Sequence, residues 1–274
     1  MTRIGRALAR ATEQLSATSD TPRLDAELLM SAALGIGRDR LILDPPNLDT
    51  PAQFLDMVDR RLALEPVAYI TGQRAFWTID LEVGPGALIP RPDSETLIAA
   101  AVEHFAGRPG PTRILDLGTG PGTLLLAALD EWPAATGLGI DASPAALVYA
   151  RRNADRLGLA ARAEFRTGDW AAGIDERFDL ILCNPPYVAT DAHTGPGVAE
   201  YEPAEALFAG AEGLDDYRRL APQIGCLLAS GGLAAIEIGF DQAERAAALF
   251  EAQLHLPLVA LDLANRPRAL LIRG

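Results

Sequence analysis

The chain contains no lysine: all 24 of its basic residues are arginine. It has two cysteines, three histidines, 6% aromatic residues and no run of eighteen apolar residues. Each shortage excludes something. Cys183 and Cys226 stand in apolar stretches, so they are expected as reduced core thiols and not as a disulfide framework. With so few thiols and imidazoles no metal site is expected. Without a long apolar run no membrane-spanning helix is expected. An excess of positive charge is missing too, since the net charge is −13. Residues 1–75 hold nine arginines against ten acids, a net −1, and the remainder holds fifteen against 27, a net −12. An acidic body repels a phosphate backbone, whose neutralisation dominates most nucleic-acid affinity, so no direct nucleic-acid binding is expected.

The 274 residues, 49% of them hydrophobic, suffice for one large domain or two modest ones. Arg3, Arg6 and Arg10 without an acid have the look of a transit peptide. However, Ile4, Leu8, Ala11 and Leu15 recur at helical spacing, which predicts an ordinary first helix. A stripe at Leu24, Leu28 and Leu29 predicts another. In "DTPAQFLDMVDRRLALEP", Thr50 reads as N-cap, Pro51 as the first helical residue and Gln53 as the partner in a capping box. Phe54, Val58 and Leu62 then form an apolar stripe that Pro66 ends. Residues 1–72 are thus expected as a small helical bundle for recognition. In "FWTIDLEVGPGALI", Ile79, Leu81 and Val83 alternate and Gly84-Pro85-Gly86 breaks the run, so residues 73–92 are expected as a β-hairpin linker.

From residue 93 to 274, helical stretches alternate with apolar β runs at 113–118, 136–141, 163–167, 178–183 and 232–238. That alternation predicts a mostly parallel sheet covered on both faces, an α/β Rossmann-like domain. "LPLVALDLANRPRALLIRG" predicts a closing C-terminal hairpin turned at Asn265-Arg266-Pro267.

Two strand ends carry the candidate chemistry. "LDLGTGPG" sets Gly118, Thr119, Gly120, Pro121 and Gly122 between a strand and a helix, where open α/β sheets bind ligands. The dinucleotide fingerprint requires Gly or Ala at its sixth position, and Thr123 stands there, which disfavours a nicotinamide dehydrogenase. Gly-x-Gly-x-Gly after Asp116 is instead the pattern of S-adenosyl-L-methionine methyltransferases. Asp141, at the next strand end, is placed to accept hydrogen bonds from both ribose hydroxyls. Asp169-Trp170, after the third, offers an acceptor and an aromatic face to adenine. The fourth strand ends in "CNPPYV". Two adjacent prolines stop a strand and stiffen the backbone beyond it. The Asn184 side-chain oxygen and the Pro185 carbonyl, held stiff by Pro186, supply two acceptors for the two N–H bonds of an amide or exocyclic amine. Tyr187 is expected to cover the planar group or lie near the developing cation.

In this order the motifs resemble those of the N-P-P-Y amino-methyltransferases. "EPVAYITGQRAFWTIDLEVGPGALIPRPDSE" at 65–95, "EYEPAEALFAGAEGLDDYRRL" at 200–220 and "EIGFDQ" at 237–242 are similar to stretches of the PrmC/HemK family of protein glutamine methyltransferases. The resemblance spans roughly the whole chain, departing at Pro121, which removes one backbone donor from the loop. It implies methylation of the glutamine in the Gly-Gly-Gln motif of class-1 peptide chain release factors, a step of translation termination in the cytoplasm. It implies that Gly118 to Gly122, Asp141, Trp170 and Asn184 bind S-adenosyl-L-methionine, which leaves as S-adenosyl-L-homocysteine, and that Asn184 to Tyr187 grip the glutamine. Three other readings stand beside it. A sister enzyme acts on a glutamine of a large-subunit ribosomal protein, but its linker departs from the Pro-Arg-Pro-x-Ser-Glu form of residues 90–95. A nucleic-acid amino-methyltransferase needs a basic groove. A non-enzymatic binding module conflicts with the intact Asp141 and N-P-P-Y.

Overall fold

A computed structural model describes residues 2–44, 46, 48–253 and 255–274. The chain divides into two compact units, Met1–Gln73 with Thr194–Tyr201, and Arg74–His193 with Glu202–Gly274.

The first unit holds α1 (Arg3–Leu15), α2 (Pro22–Leu34), α3 (Arg38–Leu43), α4 (Ala52–Leu62) and α5 (Val67–Thr71). Helix α1 buries the stripe its spacing predicts, Ile4, Leu8, Ala11 and Leu15. Helix α2 turns differently: it buries Ala26, Leu29 and Met30, while Leu24 is exposed. The cap of α4 also differs from expectation. Pro51, extended at ψ 138°, occupies the cap itself and makes no side-chain capping bond, so the helix starts at Ala52 and neither Thr50 nor Gln53 forms a capping box. Phe54 and Val58 pack with Ile4, Leu8, Leu29 and Met30 in one apolar core. Arg61 is paired with the buried Asp25 at 2.8 Å.

A two-stranded ribbon comes next, β1 (Gln73–Phe76) and β2 (Ile79–Glu82). Its turn is Trp77-Thr78, ahead of the predicted Gly84-Pro85-Gly86. Trp77 is left-handed at φ 53°, which costs about 1–2 kcal/mol in a non-glycine residue. Two contacts hold it there: its backbone N–H donates to Glu95 at 3.0 Å and its indole N–H to Glu131 at 3.1 Å.

The second unit continues with α6 (Glu95–Phe105), β3 (Arg113–Leu117), α7 (Thr123–Glu131), β4 (Thr136–Asp141), α8 (Pro144–Arg156), β5 (Ala163–Thr167) and β6 (Phe178–Cys183). After a short helix α9 (Val198–Tyr201), which belongs to the first unit, come α10 (Asp215–Leu227), β7 (Leu228–Glu237), α11 (Ala243–Glu251), β8 (Leu258–Leu261) and β9 (Pro267–Arg273). Seven strands form one sheet in the order β5-β4-β3-β6-β7-β9-β8. Five run parallel, and β9 joins β7 and β8 antiparallel as the predicted closing hairpin. Leu115, Leu117, Ile181 and Ile236 pack with Tyr217, Leu220 and Ile224 of α10 and Phe250 of α11. The intervening Ile114, Leu180 and Leu182 are equally buried, and β3 meets α7 on that side. Burial on both faces is why these strands read as unbroken apolar runs.

Cys183 lies in this core as predicted, whereas Cys226 is exposed. The turn of α10 carries it outward, one residue from the face that buries Ile224 and Leu227. Among the described residues no helix is long and apolar enough to cross a membrane.

The sheet topology fixes where a site can be. Beyond β3 the chain builds β4 and β5 on one side, then returns to lay β6 on the other. Leu117 pairs with Cys183, so the next residues, Gly118 and Asn184, leave the sheet side by side at its switch point, the usual place for a ligand crevice.

Candidate active site

A cavity of about 400 Å³ opens there. It is lined by Gly118, Thr119, Gly120, Pro121, Asp141, Trp170, Asn184 and Pro186, with Leu88, Pro90, Arg91 and Ser94 from the segment before α6 and Glu205 and Phe208 from the segment before α10. Most of the residues singled out from the sequence therefore converge. Gly122, Pro185 and Tyr187 are not among the lining residues.

The glycine loop owes its path to its composition. Gly118 is left-handed at φ 73°, and a β-carbon on it would stand 3.3 Å from the Trp170 ring and 3.6 Å from the Asn184 carbonyl oxygen. A side chain would thus intrude between the walls of the cavity. Gly120 has open space around it but φ of 57°, which other residues adopt at a cost. Its N–H donates to one Asp141 oxygen at 2.7 Å, and Ser143 N–H donates to the other at 2.8 Å. Each carboxylate oxygen keeps lone-pair capacity for one further donor. Ser143 also caps α8, accepting from Ala146 N–H at 3.3 Å. The Pro121 carbonyl accepts at 2.9 Å from Asn153, a fully buried side chain of α8.

Below the loop lies Asp116, also fully buried. One of its oxygens accepts from the Thr119 hydroxyl at 2.6 Å and from Leu125 N–H at 3.1 Å. The other, Oδ1, has no hydrogen-bond partner among the described residues. Burial pushes the carboxyl up to about 7 despite these two bonds, and burial likewise raises Asp141. Trp170 is held at φ 49°, and its indole N–H donates to Asp216 at 3.2 Å. Burial raises Asp216 as well. Asp169 is paired with Arg219.

At the other wall, Asn184 Nδ2 donates to the Ser94 hydroxyl oxygen at 3.0 Å. Tyr187 is turned inward and not toward the cavity. Its hydroxyl donates to the buried Glu237 at 3.1 Å, and its carbonyl accepts from Gln242 at 2.9 Å. Burial lifts its phenol above its ordinary value. Glu202, with a side chain 1% exposed, accepts from Arg91 at 2.5 Å and from Ile89 N–H at 3.0 Å, and so ties the two segments that flank the cavity.

Ser94, Asn153, Glu202 and Glu237 are contributors that sequence reasoning did not single out. Ser94, Glu202 and Glu237 fall in the stretches 65–95, 200–220 and 237–242 that carry the family resemblance, a signal that marks the segments without assigning roles. Asn153 has no local signal.

Two family models match the chain: the PrmC N-terminal domain over residues 6–72 and a methyltransferase domain over residues 110–230. A release factor glutamine methyltransferase of Rhodospirillum rubrum is 45% identical over 98% of this chain and 85% of its own length. One of Caulobacter vibrioides is 43% identical over 85% of this chain and 82% of its own. A solved methyltransferase of Pyrococcus furiosus shares the fold, with TM-score 0.55 and 17% identity over 79% of this chain and 97% of that one.

Proposed function

The chain belongs to the release factor glutamine methyltransferase family, and from that membership we propose that it methylates the side-chain amide nitrogen (N5) of the Gly-Gly-Gln glutamine in class-1 peptide chain release factors, using S-adenosyl-L-methionine. The observation that carries this reading is the meeting of the glycine loop and Asn184 across one cavity at the switch point.

The residues present suit that cofactor. The unpartnered Oδ1 of Asp116 calls for a donor, and an ammonium is the donor that best offsets its burial. Asp141 retains an acceptor on each oxygen for a vicinal diol, Trp170 offers an aromatic face, and the bare Cα of Gly118 admits a close approach. Pro121 gives its carbonyl to Asn153, so its missing N–H does not loosen the loop. Bound there, S-adenosyl-L-methionine supplies an electrophilic methyl group on a sulfonium and departs as S-adenosyl-L-homocysteine.

The protein's task is set by the substrate. An amide nitrogen shares its lone pair with the carbonyl and is a poor nucleophile. Asn184 Oδ1, on the cavity wall, accepts one of its N–H bonds, and the Pro185 carbonyl is the acceptor proposed for the other although Pro185 does not itself line the cavity; together they favour pyramidal nitrogen over planar. Orientation and charge stabilisation then carry most of the rate. The positive charge on the methylated amide makes it acidic enough to lose its proton to water, so no dedicated base is required. Residues 1–72 serve substrate recognition, 73–92 link, and 93–274 carry the chemistry. A match of the PrmC N-terminal domain to residues 6–72 supports that division. Net −12 over residues 76–274 favours a protein partner over nucleic acid, and such a substrate places the reaction in the cytoplasm.

The test incubates the protein with S-adenosyl-L-methionine and a class-1 release factor, then maps added methyl by peptide mass spectrometry. One methyl is expected on the Gly-Gly-Gln glutamine and none when that glutamine is alanine. No methyl despite measurable cofactor binding would overturn the substrate assignment in favour of a ribosomal protein.

A further inference from the structure

Resting on that reading of the cavity, we propose that Asp216 is a positioning residue for the cofactor: it fixes the plane of the Trp170 ring, the aromatic wall that the adenine of S-adenosyl-L-methionine meets.

Trp170 stands in the connection between β5 and β6 at φ 49°, a conformation that a β-carbon disfavours. Such a conformation persists only where neighbours hold it. Here the neighbour is helix α10. Asp216, Arg219 and Gln223 follow one another at spacings of three and four, so they share one face of that helix. Each takes one of three consecutive residues. Arg219 pairs with Asp169. Asp216 Oδ1 accepts from the Trp170 indole N–H at 3.2 Å. Gln223 Oε1 accepts from Ala171 N–H at 3.0 Å. The two acceptors are themselves held. Gln223 Nε2 donates to the Arg219 carbonyl at 2.7 Å, and Arg219 Nη1 donates to the same Asp216 Oδ1 at 3.4 Å.

The three anchors act on different parts of the connection. Those at Asp169 and Ala171 fasten the chain on either side of Trp170. The one at Trp170 fastens the ring. At the edge away from the indole N–H, Cζ3 and Cη2 lie over Gly118, where a β-carbon would come within 3.3 and 3.6 Å of them. The N–H, that edge and the bond to the backbone give three points, and three points set a plane. Gly118, Trp170 and Asp216 all line the cavity, so turning the ring reshapes its wall. Without Asp216 the indole is free to turn about its side-chain bonds while residues 169 and 171 stay fastened. Loss of this one acceptor therefore frees the ring without freeing the chain.

Asp216→Leu removes the acceptor at similar size, whereas Asp216→Asn keeps a carbonyl oxygen in its place. In the full-length protein Asp216→Leu is expected to raise Kd and KM for S-adenosyl-L-methionine about tenfold, the scale of one lost aromatic contact. Its kcat at saturating cofactor should stay within about twofold of wild type, since uniform binding alone is lost. Asp216→Asn should stay within about threefold of wild type in Kd, because a neutral acceptor still holds the N–H. A merely structural role would lower kcat and thermal stability along with affinity, and asparagine would not rescue it.

A second readout needs no turnover: the indole N–H signal of Trp170 in a ¹H–¹⁵N correlation spectrum, one of three in the chain and assigned by its loss in Trp170→Phe. It should move in Asp216→Leu and stay near its place in Asp216→Asn. In the Trp170→Phe background, Asp216→Leu should change Kd by less than about twofold, since no indole N–H remains to be held. An unchanged Kd or an unmoved indole signal in Asp216→Leu would overturn the proposal, as would Asp216→Asn failing as badly. A tenfold effect that persists in Trp170→Phe would overturn it too, because Asp216 would then touch the cofactor itself. Should Asp216→Leu not fold, Trp170→Phe decides alone: it keeps an aromatic face without the N–H, and binding as tight as wild type would sink the proposal. A wild-type protein that binds no S-adenosyl-L-methionine would refute the reading of the cavity, and the indole signal would still show whether Asp216 holds the ring.

Discussion

Asn153 and Pro121 are joined by a hydrogen bond of 2.9 Å, from the buried amide of helix α8 to the carbonyl at the crest of the glycine loop. The same amide accepts from Glu82 N–H at 2.7 Å and donates to the Glu82 carbonyl at 3.0 Å. One side chain therefore fastens the loop to the strand β2 through two backbone segments. Because it is fully buried, removing it strands polar groups where water has no ready access.

Asn153→Ala is expected to destabilise the protein by about 3 kcal/mol, the scale for leaving buried hydrogen-bonding groups unmet. It should also weaken S-adenosyl-L-methionine binding, since the loop loses its anchor. Urea denaturation and equilibrium titration of the same variant check both. Full stability with full affinity would show that the loop is held by its glycine geometry alone.

Asn184 separates chemistry from binding. Its Oδ1 is one of two acceptors proposed for the substrate, while the cofactor has the loop, Asp141 and Trp170 besides. Asn184→Ala should fold and bind S-adenosyl-L-methionine within about tenfold of wild type, yet lose about two orders of magnitude or more in methyl transfer. Transfer within twofold of wild type would sink the two-acceptor mechanism.

Distance along the chain decides how much of this is legible in the sequence. The glycine loop, Asp141 and Asn184 each sit at the end of an apolar run, Trp170 follows the more polar edge strand β5, and local pattern reveals them. The bonds that make a site of them do not repeat locally. Asn153 reaches Pro121 across 32 residues, Ser94 meets Asn184 across 90, and Glu202 meets Arg91 across 111. No periodicity carries such pairings. The hairpin turn escapes local pattern for a related reason. Gly84-Pro85-Gly86 is the stronger local turn signal, but Glu95 and Glu131 hold Trp77 in a left-handed conformation that its own side chain disfavours. Tyr187 likewise looks available to the substrate because its neighbours in sequence are, and only the position of Glu237 shows that it is engaged within.

Arg91 neutralises a charge that cannot be left alone. Glu202 is 1% exposed on its side chain, and beside Arg91 it holds Ile89 N–H at 3.0 Å. Arg91→Ala should cost about 3 kcal/mol or more, the range for stranding one member of a buried pair. Glu202→Gln in that background should recover part of the loss, because the residual group is then neutral. A double-mutant cycle by chemical denaturation gives the coupling, and simple additivity of the two changes would show that the pair does not hold the cavity walls together.

Asp116 makes stability depend on pH in an unusual direction. Burial raises its carboxyl to about 7 in the folded protein, against about 4 in an unfolded chain. Glu237 is raised to about 7 in the same way. Between these limits the folded state binds more protons than the unfolded one, so this contribution to stability is fully present below about pH 4. It is lost as pH rises toward 7, by up to about 1.4 kcal/mol per pH unit for each group, and levels off above. Asp116→Asn keeps an acceptor for Thr119 and Leu125 but cannot ionise. The stability of wild type relative to Asp116→Asn should therefore fall steadily from pH 5 to pH 7 and stay constant from pH 8 to pH 9, as measured by urea midpoints at fixed ionic strength. A difference that does not vary with pH would mean that Asp116 is ionised throughout, its unpartnered oxygen reached by solvent.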